Sequence, residues 1–137
     1  MVSYQDVMLS LNPTHYYPLN AVNGPRDIVG TLHGTNKGAL FTEKGAIFNG
    51  SASIELPDHA DFSAVTSGAL SVVATMQVHN WMGRGSTEYI HWMGKGILNQ
   101  HEWTFRHYCW PSGTGEAPSR PKRTSFYCFN LSGGLGA

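Results

Sequence analysis

Leu70-Ser71-Val72-Val73-Ala74-Thr75-Met76-Gln77-Val78 alternates over its whole length. Leu70, Val72, Ala74, Met76 and Val78 fall on one side, and Ser71, Thr75 and Gln77 fall on the other beside Val73. Successive side chains of an extended backbone point to opposite faces. The pattern therefore predicts an antiparallel strand with one face on a core and one in water. Upstream, residues 45–49 and 52–56 read as two short strands across an Asn49-Gly50 turn, with Ala52, Ile54 and Leu56 opposed to Ser53 and Glu55. Residues 16–19 read as a short aromatic strand, and Asn23-Gly24-Pro25 and His33-Gly34 as turns. Downstream, residues 88–93, 102–108 and 124–130 are aromatic-rich strand candidates, the last two joined by a Ser-, Gly- and Pro-rich loop over residues 111–122.

Only the beginning of the chain has a different period. Tyr4, Val7, Met8 and Leu11 recur at helical spacing, Ser3 can cap with Asp6 three residues on, and Pro13 closes the segment. The reading is a helical segment over residues 1–14 and one all-β domain over residues 15–137.

Bulk composition narrows the function classes. The 137 residues suffice for one domain of ordinary size, and a hydrophobic share of 41% supplies a core. Charged residues make up only 13%, and Lys+Arg and Asp+Glu balance at nine each. That balance argues against electrostatic binding to nucleic acid or to an anionic membrane. No apolar run reaches the length of a membrane span, and residues 1–11 have no basic, then apolar, signal-peptide pattern.

Several segments, in order, resemble the laminin-G-like, concanavalin-A-like lectin domains. Tyr16-Tyr17-Pro18-Leu19 is similar to the family's opening "YWPLD"-type strand, and residues 27–35 to its D-x-x-G-x-x-x-G-T stretch. Gly45-Ala46-Ile47-Phe48-Asn49-Gly50, then Ile54-Glu55-Leu56-Pro57, resembles the "G-A-L-x-F-D-G … V-x-I-P" signature, with Asn49 where Asp is usual. Residues 70–78 fall where the family has its "F-T-I-S-A-W-V" strand, without the tryptophan. Trp92-Met93-Gly94-Lys95-Gly96, Glu102-Trp103, Arg120-Pro121-Lys122-Arg123 and residues 126–137 resemble a subgroup found in minor tail proteins of actinobacterial phages. The resemblance implies an antiparallel jelly-roll β-sandwich after a short N-terminal helix. It also implies a carbohydrate or host-surface recognition module in a virion, or a structural tail component that packs on other tail subunits; an extracellular lectin-like protein is the further alternative. In the family, strands with a "W-x-H-V/I" segment and a "Y-x-D-G" hairpin follow the Gly-Gly-Leu-Gly stretch. The expectation is thus an incomplete sandwich that forms oligomers or takes a strand-completing partner.

Some glycosidases share this sandwich, and they need carboxylates set along one strand face at period-two spacing. No such run occurs, and Glu55 and Asp58 are separated by Pro57. There is no nucleophile elbow, and Gly94-Lys95-Gly96 lacks a Walker context. The expectation is no enzyme. Histidines 33, 59, 79, 91, 101 and 107 are scattered without metal-ligand spacing, and those at 91 and 107 read as semi-buried strand residues. Calcium is implied by the resemblance, with Asp27, Asp58 and Asp61 as weak candidates, although Asp in such loops is commonly a turn or cap residue.

Sugar rings stack their C–H faces on aromatic rings, which directs attention to four tryptophans. Trp92 and Trp103 lie inside strand patterns and read as core. Trp81, at a strand end before Gly83-Arg84-Gly85, and Trp110, opening the long loop, are the carbohydrate candidates. Arg106 and Tyr108 share a strand face with Trp110 and extend the surface. Arg120, Lys122 and Arg123 read as a solvated loop end. Cys109 and Cys128 flank the same loop. A hairpin about Pro118-Ser119 would set them opposite each other within disulfide reach; otherwise they are two free, small core residues.

Overall fold

The computed structural model describes residues 2–64, 69–79, 89–97, 100–108 and 123–129. The described residues form short antiparallel sheets and one short α-helix, an all-β chain with a helical start. The chain divides into two compact units, Met1–His59 and Ala60–Ala137.

In the first unit, helix α1 spans Tyr4–Ser10. Ser3 caps it in extended conformation. Its Oγ accepts from Asp6 N–H at 3.1 Å, and its own N–H donates to the Asp6 carboxylate at 2.9 Å. This reciprocal pair satisfies two of the donors that a helix start leaves open. Asn12 then turns left-handed (φ 51°) ahead of Pro13. Tyr4, Val7 and Leu11 remain exposed.

Strands β1 (Thr35–Lys37) and β4 (Ser53–Glu55) pair antiparallel, as do β2 (Leu40–Thr42) and β3 (Gly45–Ile47). The strands flanking Asn49-Gly50 are present, but each pairs elsewhere rather than with the other. The Asn49 side chain accepts from Ser51 and Ala52 N–H, both at 3.0 Å, and Gly50 has φ +86°, so the turn bends without closing a two-strand ladder. Asn36 bridges β1 to β2 through both bonds with Ala39, which is buried.

Two expected strands are absent from the described residues. Residues 16–19 form no strand, because their backbone is claimed by other partners. Tyr16 N–H donates to Asp27, Tyr16 carbonyl accepts from Ile28 N–H at 2.9 Å, and Leu19 sits at φ 52°. Residues 70–78 join no ladder, and Ala74 and Met76 of the expected core face are exposed along with the polar residues. A strand exists only where a second backbone takes up its N–H and C=O groups. The described strands take theirs from one another.

The second unit holds β5 (Tyr89–Ile97), β6 (Gln100–Tyr108) and β7 (Arg123–Cys128), antiparallel in that order, where aromatic strands are expected. A one-turn 3-10 helix, Ala60–Phe62, precedes them. Trp103 of central β6 is 5% exposed and donates from Nε1 to the Phe62 carbonyl at 2.7 Å. Ser63 hydroxyl donates to Glu102 at 2.7 Å, and Lys95 lies 3.9 Å from the same carboxylate. Register shifts at His91/Met93 and at Lys95/Gly96 skip Trp92 and Glu102 in the β5–β6 pairing, and the Glu102 carbonyl accepts from Phe129 N–H at 2.8 Å. These shifts change which residues share a face.

Candidate functional site

One face of the three-stranded sheet collects the polar aromatic residues. Tyr108 pairs with Tyr89 and Arg106 with His91, while on the other side Tyr127 pairs with Thr104. Ladder partners share a face, so Tyr89 and Tyr127 flank Arg106 diagonally from the two neighbouring strands. The Arg106 guanidinium carbon lies 3.6 Å from the Tyr127 ring centre, 4.5 Å from that of Tyr89 and 5.8 Å from that of Tyr108. The hydroxyls of Tyr108 and Tyr127 hydrogen-bond each other at 2.5 Å, which closes one side of the cage. His91 and His101 stack with ring centres 5.0 Å apart, and Tyr89 lies 5.4 Å from His91. Thr104, 1% exposed, lies beneath. Its hydroxyl donates to the Met93 carbonyl at 3.2 Å, so His91 Nδ1, 2.9 Å away, donates to it.

The charge balance of this face is uneven. Arg106 Nε is buried and has no hydrogen-bond partner, and no ion pair among the described residues includes Arg106. Burial, then the nearby His101 and Arg106, hold the His91 pKa below its ordinary value. His91 therefore adds little positive charge at neutral pH. Arg106 is a standing cation of this face, and Arg123, opposite Tyr108 in the ladder, is a second.

The opposite face is packing. Trp92 stacks on His107 at 5.5 Å, Phe105 meets Phe126 at 4.8 Å, and His107, buried with its pKa lowered by desolvation, lies 2.8 Å from Thr124 Oγ1. Trp103 and Trp92 therefore line a core face, as expected, and His107 is a semi-buried strand histidine. The shift at Trp92 pairs Met93 with Phe105 and places it on the Phe105 face, 38% exposed, although it lies two residues from His91.

Of the expected carbohydrate residues, Arg106 and Tyr108 lie together on the tyrosine face; Trp81 and Trp110 lie outside the described residues. Tyr89 and Tyr127 were missed. Their only signal was aromatic content within strand candidates, since cross-strand neighbours depend on a register that one sequence does not display.

Of the calcium candidates, Asp27 is engaged by donors from its own loop. Asp27 is 3% exposed, and its carboxylate takes five donors. Oδ1 accepts from Tyr16, Val29 and Gly30 N–H at 3.1, 3.2 and 2.9 Å; Oδ2 accepts from His15 Nδ1 at 2.7 Å and Leu32 N–H at 3.3 Å. Its lone pairs are thus spent on the loop over residues 15–34, and Asp27 is a structural hub rather than a calcium ligand. Burial raises its pKa, but the bonds from His15, Gly30, Tyr16 and Val29 outweigh this and hold it at about 2. A Cβ at Gly30 would lie 2.6 Å from the Asp27 carboxylate, which explains the glycine three residues on. Asp58 and Asp61 are exposed, and no three His, Cys, Asp or Glu converge among the described residues.

Cys128 pairs with Trp103 in the ladder, while Tyr108 pairs with Arg123. The hairpin register that a Cys109–Cys128 bridge requires is therefore not the one formed. Cys128 is a free thiol, and Cys109 lies outside the described residues. Among the described residues, no helix is long and apolar enough to cross a membrane.

No protein-family model matches the chain, nor does any curated protein or solved structure.

Proposed function

We propose that this chain is a non-catalytic recognition module that binds a cell-surface glycan through the tyrosine face around Arg106. In this reading the antiparallel sheets belong to a laminin-G-like jelly-roll sandwich displayed on a phage tail in the virion. The supporting observation is the cage itself, with three phenolic rings and a guanidinium on one sheet face, of which Tyr89 is open at 41% exposed while Tyr108 is buried at 7%. Rings of this kind offer flat apolar area together with hydroxyl partners, the two features a pyranose needs. Tyr89→Ala should weaken binding to host cell-wall fragments about tenfold, the loss of one stacked ring, without changing the far-UV spectrum. A glycan array and a whole-cell binding assay that are both blank for the wild type would defeat the reading.

A structural tail component is the second reading, favoured by the ladder pair Leu40–Ile47, whose side chains stand 63% and 54% exposed. Such apolar side chains suit contact with another tail subunit. The described sheet carboxylates are engaged, Glu102 with Ser63 and Lys95, and Glu55 with Lys37 at 3.5 Å. Incubation with a panel of β-glucans is accordingly expected to yield no new reducing ends; sustained turnover above buffer would contradict the non-catalytic assignment.

A further inference from the structure

We infer that Arg106 is the anchor of a subsite for an acidic sugar, a saccharide carrying one carboxylate or phosphate oxyanion. This rests on the glycan reading above and narrows it. Arg106 is half-buried and its Nε is shut off from water, and a buried guanidinium donor is costly unless a hydrogen bond compensates it. Among the described residues Arg106 receives neither an ion pair nor a bond to Nε. What it does receive is ring faces, Tyr127 at 3.6 Å and Tyr89 at 4.5 Å. Cation–π contact holds the planar group in place without using its N–H donors, which point outward in the plane of the guanidinium rather than toward a ring face. The result is a preorganised fork with unspent donors.

A neutral hydroxyl would fill one donor and leave the charge uncompensated. A carboxylate or phosphate would take two donors in parallel and cancel the charge as well. Of the other described cations near this sheet, Lys95 is already beside Glu102, His91 has its pKa lowered, and the exposed Arg123 stands opposite Tyr108 on the same face. The Arg106 fork therefore takes one anionic group set beside a stacked ring, with Arg123 a second cation on that face.

The test uses the unaltered protein and three probes, an oligogalacturonide, the same oligomer with its carboxyls reduced to alcohols, and a glycerol-phosphate oligomer. The oligogalacturonide should bind on the order of tenfold or more tightly than its reduced form, the range expected for bonds to a charged partner. Comparing it with the glycerol-phosphate oligomer separates a carboxylate source from a phosphate source. Arg106→Met, which keeps the apolar stem between the rings, should abolish that preference with the melting temperature not lowered. Equal binding of native and reduced oligomers, with no phosphate binding, would overturn the acidic-sugar inference yet leave glycan recognition standing. Silence from all three probes together with a blank glycan array would remove both. If Arg106→Met lowers the melting temperature and loses acid and reduced ligand alike, Arg106 is a prop of the sheet, and the proposal fails.

Discussion

Asp27→Ala is expected to destabilise the Met1–His59 unit by about 3–5 kcal/mol, a large share of a domain's net stability. The carboxylate is the common acceptor for His15 and four backbone N–H groups. Each buried donor left without a partner costs roughly 1–3 kcal/mol, reduced where the loop relaxes toward water. Asp27→Asn keeps the shape and one acceptor oxygen, so it should cost less than Ala. Denaturant melts give the size of the effect, and amide exchange over residues 15–34 gives its location. A loss within 1 kcal/mol of zero would show that the loop is held by something else.

The same carboxylate sets an acid limit. Its pKa in the folded chain is about 2, below the ordinary 3.8. A depressed folded-state value means that the stabilisation is fully present above the unfolded pKa and disappears as pH falls toward the folded one. The stability gap between wild type and Asp27→Asn should therefore be constant near neutrality and shrink between roughly pH 4 and pH 2. A gap that is unchanged at pH 2 would contradict the assignment of an ionised hub.

Gly96→Ala should open the β5–β6 hairpin, at a cost of about 3 kcal/mol or more, because two penalties coincide. The residue sits at φ +110°, a conformation that L side chains rarely adopt, and a Cβ there would run into the Gln100 carbonyl and lie 2.8 Å from His101 Cα. Both obstacles are backbone, so neither can swing aside. Tyr89 and Arg106 belong to the two strands joined at this point, and glycan binding should fall together with the near-UV signal of Trp92 and Trp103. Gly45→Ala is the control. It has φ +143° but meets nothing within 4 Å, so it should show only the backbone strain. Equal effects from the two substitutions would mean that the close approach at Gly96 is unimportant.

The features legible in the amino-acid order are those made by groups close together in the chain. Ser3, Asp6 and Pro13 mark a helix because a cap acts on donors three residues away. Asn49-Gly50 marks a bend because the Asn side chain bonds to its own backbone two and three residues on. Arg106 and Tyr108 could be placed on one face, since positions two apart on a regular strand share one. Tertiary structure alone decided the rest. The alternation of residues 70–78 described a strand's side chains but not the second backbone a ladder needs. Residues 16–19 looked extended until Asp27, distant in the chain, took up the Tyr16 N–H. Tyr89 and Tyr127 reach Arg106 only through the registers of β5 and β7 on β6, and Met93 leaves the His91 face only because of the shift at Trp92. Periodicity along one strand says which side chains go together; which neighbours they meet is set by hydrogen bonds between strands, and these depend on backbone partners far away in the sequence.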